Sequence, residues 1–256
     1  PLVILCCCDA PRWEVRAIAG VLEDADAPEL DLAVFDDASA LPASAALRAA
    51  LHVSRQPRRG ETVRCRRAEE TLPAGSTVRY LRRQERVGYV RNANDGGSLY
   101  DPARHSCMIW LNGDTVPGRG WLRGLLRALG SGPRVGFACP MSDNNVDWST
   151  PLLQGCTADE MADALLVAHD GTYPEVFLPS GFCLAVRGEV WAKYGPYDEE
   201  KWGTGYGEET DLECKAWVDG WTAVAAPDAF VRHARSRSFG EDASYAAVSR
   251  AVSAIH

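Results

Sequence analysis

The stretch Ser106-Cys-Met-Ile-Trp-Leu-Asn-Gly-Asp-Thr115 decides how the rest of the chain is read. Four apolar residues, Met108 to Leu111, run directly into the polar turn Asn112-Gly113-Asp114. A short continuous apolar run bounded by turn residues reads as a buried strand. Open α/β sheets hold their ligands outside the carboxyl ends of the strands. A carboxylate just beyond such an end is presented to a ligand or a metal from a rigid base. On this stretch alone an ordinary Asn-Gly-Asp turn explains the residues equally well, so its surroundings decide.

Upstream, Leu2-Val-Ile-Leu-Cys-Cys-Cys8 is a fully apolar, strand-like run closed by Asp9-Ala10-Pro11. A helix follows over about 13–22. Residues 32–35 form a second strand, ended by Asp36-Asp37-Ala38-Ser39. Strand, helix and strand make a βαβ unit. Residues 41–52 carry an Ala-rich helical pattern, and the Arg-rich segment 55–75 suits a loop or an edge hairpin. Residues 77–81 alternate as a strand, and 87–104 are polar or helical.

Downstream, Trp121, Leu122, Leu125, Leu126 and Leu129 recur at helical spacing, and Gly130 stops that helix. Residues 135–139 read as a strand that Pro140 breaks. The polar stretch 141–156 is irregular. Thr157-Ala-Asp-Glu160 is a capping box for a helix to about Ala168. A strand over 179–186 and a short helix over 188–194 come next. The loop Gly203-Thr-Gly-Tyr-Gly207 opens a helix that starts at Glu208 and ends at Gly220. Two late strands, 222–226 and 229–231, follow, and the second reaches His233. The last fifteen residues read as a helix. Strands and helices alternate early and grow irregular after about residue 140. This predicts a single α/β domain, with a nucleotide-binding half over 1–115 and an acceptor and catalytic half over 116–256.

The chain has 256 residues, 46% hydrophobic and 24% charged, which is ordinary for a globular protein. A net charge of −8 counts against a general nucleic-acid binder. It also means that an anionic substrate needs a local cation, from Arg or a metal. No apolar run approaches the ~20 residues of a membrane span, and residues 1–8 are too short for a signal peptide. The sequence begins at Pro1, so an initiator Met has been removed or the sequence is a piece of a longer protein. Nine cysteines lie mostly in apolar runs, three of them consecutive at Cys6-Cys7-Cys8, with no Cys-x-x-Cys pair. That pattern makes neither a disulfide frame nor a zinc site, and points to a reducing, cytoplasmic compartment.

Four polar clusters follow strand ends or open helices: Asp36-Asp37, Asn112-x-Asp114, Glu208-Glu209-x-Asp211 and His233. Singly, each has a structural explanation. A turn accounts for the first. Carboxylates in a first helical turn suit the macrodipole, and a lone His after a strand is more often structural.

Together and in order they resemble the family 2 glycosyltransferases, which use the GT-A fold. The resemblance covers nearly the whole chain and is strongest over 87–239. Phe35-Asp-Asp-Ala-Ser39 resembles the family's "VDDGS" strand end, and Gly88-Tyr-Val-Arg-Asn-Ala-Asn94 its "GxxxAxN" segment. Leu111-Asn-Gly-Asp-Thr115 is similar to the "LNxDT" form of its Asp-x-Asp metal motif. Ser180-Gly-Phe-Cys-Leu-Ala-Val-Arg187 with Gly195-Pro-Tyr-Asp-Glu199 resembles its acceptor-side block. Gly207-Glu-Glu-Thr-Asp-Leu212 looks like "GEDxDL", and Val231-Arg-His233 with Ser236-x-Ser-Phe239 like its terminal metal-binding His segment.

The resemblance implies a Rossmann-like, mostly parallel sheet flanked by helices. It implies inverting transfer of a sugar from a nucleotide-diphosphate sugar to an acceptor hydroxyl, a glycan or another alcohol. Asp36 or Asp37 would hold the base or ribose. Cys8, Asp9, Arg91, Asn94 and Asn112 would line the donor site. Asp114 and His233 would bind Mn²⁺ or Mg²⁺. Glu209 would be the general base, its pKa raised by Glu208, with Asp211 in the same catalytic cluster. Arg235 and Arg237 rank below these as phosphate contacts, and acceptor contacts fall in 141–180 and around 202–206. The sequence departs from the family at Asn112, where many members carry Asp, and at Glu209, where Asp is usual. It departs again at Cys8-Asp9-Ala10-Pro11, where a Pro-x-Tyr-Asn turn is usual. Two other classes share part of the pattern: a sugar-nucleotide-binding module without catalysis, and a nucleotidyltransferase, which fits the late Glu-Glu-x-Asp and His less well.

Overall fold

The computed structural model describes residues 1–58, 60–144, 148–203 and 205–234. The first half runs β1 (Leu2–Cys7), α1 (Pro11–Leu22), β2 (Asp31–Asp36), α2 (Leu41–Ala50), β3 (Thr62–Arg64), α3 (Arg66–Glu69), β4 (Thr77–Arg82), α4 (Tyr89–Gly97) and β5 (Cys107–Asn112). Strands β4, β2, β1 and β5 pair in parallel in that order. Parallel strands covered on both faces read as continuous apolar runs, and β2 is buried at every position. Because these strands run the same way, their ends arrive together. Cys7 stands beside Asp36, Cys6 beside Asn112, and Asp36 beside Arg82. The Arg-rich segment forms the expected edge hairpin, with β3 antiparallel to β4.

The second half runs β6 (Thr115–Pro117), α5 (Trp121–Gly130), β7 (Val135–Met141), α6 (Ala158–Ala168), β8 (Glu175–Val176), β9 (Cys183–Arg187), α7 (Gly188–Tyr194), α8 (Glu199–Trp202), α9 (Glu208–Val218) and β10 (Thr222–His233). Strand β9 lies between β5 and β7, antiparallel to both, so its first residue, Cys183, stands beside Leu111 at the end of β5. Strand β10 runs parallel to β7 and then pairs antiparallel with β6, which places His233 beside Thr115. The sheet is therefore mixed, with a parallel centre, and helices cover both faces.

Alternation along β5 shows how the core is shared. Ile109 and Leu111 face the cluster that holds Leu5, Ile18, Leu47 and Trp121. Met108 and Trp110 face the one that holds Ile4, Val90, Trp191 and Leu212. Trp110 and Trp191 meet at 4.7 Å between ring centroids. A Cβ at Gly97 would lie 2.3 Å from Trp191, so only glycine lets α4 close over that pair.

Several expectations are corrected. Pro140 does not break its strand: β7 continues to Met141, with Pro140 opposite Ala226. The pairing turns irregular there before resuming at Phe230, which is where a residue without an N–H is tolerated. The two late strands are one, β10, interrupted only by that irregularity. The strand expected from 179 begins at Cys183, leaving 180–182 as loop. The capping box is present, with Thr157 Oγ1 accepting from Glu160 N–H at 3.2 Å and Glu160 Oε2 accepting from Thr157 N–H at 2.8 Å. The expected C-terminal helix lies outside the described residues. Among the described residues no two cysteines form a disulfide. Among the described residues no helix is long and apolar enough to cross a membrane.

Candidate active site

The first loops at the carboxyl edge are tied together by their own carboxylates. In the turn after β1, Cys8 and Ala10 donate their N–H groups to Glu14 Oε1 at 2.5 and 3.2 Å. Burial pushes the Cys8 thiol up. Asp9, at φ 55°, donates its N–H to Ser39 Oγ at 3.1 Å. Its side chain accepts from Ala40 N–H at 2.7 Å and pairs with Arg86. Asp36 is fully buried: one oxygen accepts from Ser39 N–H at 2.8 Å, the other from Tyr80 OH at 2.6 Å, with Arg82 Nε at 3.6 Å. These contacts use that carboxylate to hold the end of β2. Asp37 accepts from Val87 N–H at 2.9 Å and Gly88 N–H at 3.1 Å, and so fastens the loop that opens α4.

Two expected donor residues sit elsewhere. Asn94 is buried, with its amide donating to Tyr197 O at 2.9 Å and accepting from Tyr197 N–H at 2.9 Å. It latches α4 to the Tyr197 segment, as a buried amide must be satisfied. Arg91 is exposed and pairs with Glu199 at 3.3 Å and Asp95 at 3.4 Å, on the surface between α4 and α8. Neither reaches the strand edge through these contacts.

The Asn-Gly-Asp turn does reach it. Asn112 donates its N–H to Phe182 O at 2.8 Å and accepts from Thr115 Oγ1 at 2.7 Å through its carbonyl. A Cβ at Gly113 would lie 2.9 Å from Cys6 O, so the turn presses directly on β1. By alternation the Asn112 side chain shares the face of Trp110 and Cys6. Asp114 Oδ1 lies 3.5 Å from His233 Nε2, and the two side chains are 15% and 14% exposed. Ala234 N–H closes onto Asp114 O at 2.9 Å. The His233 ring stacks on Phe182 at 4.6 Å and 11°. The His233 backbone N–H donates to Asp143 Oδ1 at 2.9 Å, and its ring Nδ1 lies 3.3 Å from Asn144 O. A carbonyl can only accept, so a hydrogen on Nδ1 satisfies this contact, and a cation between Nε2 and Asp114 would take the lone pair of Nε2.

One carboxylate oxygen and one imidazole nitrogen placed in this way are a donor set that could hold a divalent cation. Among the described residues no group of three or more His, Cys, Asp or Glu is placed to hold a metal. A cation here would take its remaining ligands from substrate and water. The expected contacts at Arg235, Ser236, Arg237 and Phe239 lie outside the described residues, as does Thr204 in the glycine loop.

Helix α9 brings the carboxylates. Glu209 Oε2 accepts from Gly207 N–H at 3.2 Å. Its Oε1 faces Gly181, where a Cβ would lie only 2.8 Å away. The next residue is Phe182, which stacks on His233 and receives the Asn112 N–H. Two consecutive residues thus connect Glu209 to the Asp114 and His233 pair. Glu208 is buried, and its Oε2 has no hydrogen-bond partner among the described residues. Burial, then the neighbouring Glu209, push it well above the carboxylate range, so it carries a proton.

Asp211 is not part of the group. Its oxygens pair with Lys201 at 2.9 Å and Lys215 at 2.6 Å. Burial opposes ionisation there, but the two lysines outweigh it and hold Asp211 below its usual range. Two carboxyls were not anticipated from the sequence. Glu213, one turn behind Glu209, is buried with neither oxygen bonded among the described residues. Burial, then Glu209, Cys214 and Glu208, push it well above the usual range. Its only sequence signal is the i, i+4 spacing from Glu209. Glu14 is 1% exposed, and burial pushes it up to about 7 against the two amide bonds it accepts. Its signal is a Glu on the same helical stripe as Ala17, Ile18 and Val21.

Solved structures share this architecture. The chain aligns with a mannosyltransferase from Pyrobaculum calidifontis, in complex with GDP-mannose and Mn²⁺, at 19% identity and a TM-score of 0.62, over 94% of this chain and 58% of that one. It aligns with glucosyl-3-phosphoglycerate synthase from Mycobacterium tuberculosis, in complex with Mg²⁺ and UDP, at 13% identity and a TM-score of 0.59, over 99% and 77%. TarS of S. aureus in complex with UDP gives 13% and 0.57, over 90% and 60%. At these identities the likeness is one of fold, and the chain spans less than two thirds of the mannosyltransferase and TarS chains. A search of curated proteins by sequence finds no match. The sequence model described as "Glycosyltransferase like family 2" matches residues 30–247, most of the chain, and the protein belongs to that family.

Proposed function

We propose that this chain is an inverting glycosyltransferase that moves a sugar from a nucleoside-diphosphate sugar to an acceptor hydroxyl, with a divalent cation at Asp114 and His233 and Glu209 as general base. The observation that carries this reading is the Gly181-Phe182 link, which sets Glu209 beside the Asp114 and His233 pair. The GDP-mannose, UDP, Mn²⁺ and Mg²⁺ present in structures of the same fold support it. A cation bound between Asp114 and His233 would supply positive charge to the departing diphosphate. A hydrogen on His233 Nδ1, given to Asn144 O, would leave Nε2 open to that cation. Asp37 and Asp9 hold the loops around the nucleotide in one arrangement. Glu209 takes the proton from the acceptor hydroxyl as it attacks the anomeric carbon, and the absence of a side chain at Gly181 leaves room for its carboxylate. Glu208, buried and pushed above the carboxylate range, adds no second charge beside Glu209. A cytoplasmic location is part of the proposal, supported by nine cysteines that form no disulfide among the described residues.

The test is Glu209→Gln, assayed with UDP- and GDP-sugars. Transfer falls roughly 10³-fold while nucleoside-diphosphate affinity stays the same. Retained transfer with unchanged affinity overturns the base assignment.

A further inference from the structure

Beside the metal pair, three guanidinium groups surround one indole. The guanidinium carbons of Arg12, Arg16 and Arg232 lie 5.4, 5.1 and 5.8 Å from the Trp13 ring centroid. Arg232 immediately precedes His233 on β10, but the two address different neighbours: His233 lies on Phe182 and Arg232 over Trp13. Helix α1 runs along the turn that carries Asp114. The Glu14 side chain abuts Gly113, and a Cβ at Gly20 would lie 2.7 Å from Pro117. The cluster therefore flanks the metal pair without being part of it.

By itself this arrangement is unfavourable. Arg12 and Arg16 stand at i and i+4, where like charges destabilise a helix. They also occupy the first turns of α1, the positive end of its dipole. Arg232 Nε has Asp143 Oδ2 at 3.3 Å. Among the described residues Arg12 and Arg16 have no carboxylate within ion-pair distance. Glu14 shares their turn, but its Oε1 is engaged with the Cys8 and Ala10 amides and its Oε2 is buried. In a chain with 35 acidic and 27 basic residues, two cations set over a half-buried Trp with no carboxylate partner among the described residues are not for want of carboxylates. An oxyanion would reverse the sign of every one of these terms. Guanidinium forks match phosphate oxygens in geometry, and the ring holds the forks in place.

We propose that Arg12, Arg16 and Arg232, gathered on Trp13, recognise a phosphate group carried by the acceptor. This rests on the reading that the donor diphosphate occupies the Asp114 and His233 pair. The acceptor is then an alcohol that bears a phosphate, anchored by charge at α1 while Glu209 handles its hydroxyl.

The experiment is calorimetric titration of the full chain with glycerol phosphate and with glycerol, each with and without saturating UDP or GDP and Mn²⁺. Glycerol phosphate binds with the nucleotide present, and glycerol does not. The double variant Arg12→Gln/Arg16→Gln weakens glycerol phosphate at least roughly tenfold and leaves nucleoside-diphosphate affinity within about twofold. Equal affinity in the double variant overturns the proposal. So does competition between glycerol phosphate and the nucleoside diphosphate, which would assign the cluster to the donor. A wild-type chain that binds no nucleoside diphosphate with Mn²⁺ contradicts the donor reading instead, while the titration without nucleotide still decides whether the cluster takes phosphate.

Discussion

The two ends of the sheet bury carboxylates in opposite ways. At the amino ends of the strands, Asp31 has donors for both oxygens: Arg104 at 2.6 and 2.7 Å, His105 Nε2 at 3.0 Å and Thr77 N–H at 3.1 Å. Asp101 N–H donates to His105 Nδ1 at 3.0 Å, so Nε2 carries the hydrogen given to Asp31. Burial alone would raise Asp31, but these bonds outweigh it and hold it well below the usual range. At the carboxyl ends, Glu14, Glu208 and Glu213 are equally buried, yet each leaves at least one oxygen without a hydrogen bond among the described residues. Buried polar groups are normally satisfied, and those that are not cluster where chemistry needs them. A cavity of about 170 Å³ opens at the paired end, beside Asp31, Thr77 and His105.

Removing Asp31 breaks the paired end. Asp31→Ala leaves Arg104 and His105 without their partner and costs on the order of 3–5 kcal/mol in chemical denaturation. Nucleoside-diphosphate affinity should not change, and a loss of affinity at equal foldedness would merge the two ends into one functional unit. The stabilisation from Asp31, whose pKa is depressed by folding, is present at neutral pH and is lost as pH falls below about 4.

Glu14 sharpens the contrast with a slightly smaller effect of opposite sign. Its pKa rises from 4.5 to about 7 on folding. Its stabilisation is therefore full below about 4.5 and is lost as pH rises through 7, by roughly 3 kcal/mol. Glu14→Gln should flatten the fall in stability between pH 5 and pH 8, measured by denaturation midpoints. An unchanged slope would mean that Glu14 does not carry a proton when folded.

Much of the fold is legible in the sequence because its strands are buried on both faces. The runs 2–8, 32–35 and 106–112 carry continuous apolar signals that length and turn residues bound clearly. Asp114, just past the third run, is conspicuous for the same reason, and the structure sets it 3.5 Å from His233 at the end of β10. Elements of two to four residues, β6, β8 and α8, are too short to show a period. Roles that depend on register are not legible either. The contacts that hold Asp36 come in part from Tyr80 and Arg82 on the neighbouring strand. Asp211 is a nearer miss: Lys215, one turn on, was visible, but Lys201 comes from another helix. Glu14 and Glu213 are hidden because a glutamate on a helix is by default solvent-facing.

The central claim is that Asp114 and His233 hold a cation for a nucleoside diphosphate. Its most direct test is calorimetric titration of the full chain with UDP and with GDP, in Mn²⁺ and in EDTA, for the wild type and Asp114→Ala. One of the two nucleotides should bind at least roughly tenfold tighter with Mn²⁺, and Asp114→Ala, still folded, should lose that gain. Equal affinity in Mn²⁺ and EDTA, or a metal gain that survives Asp114→Ala, would contradict it.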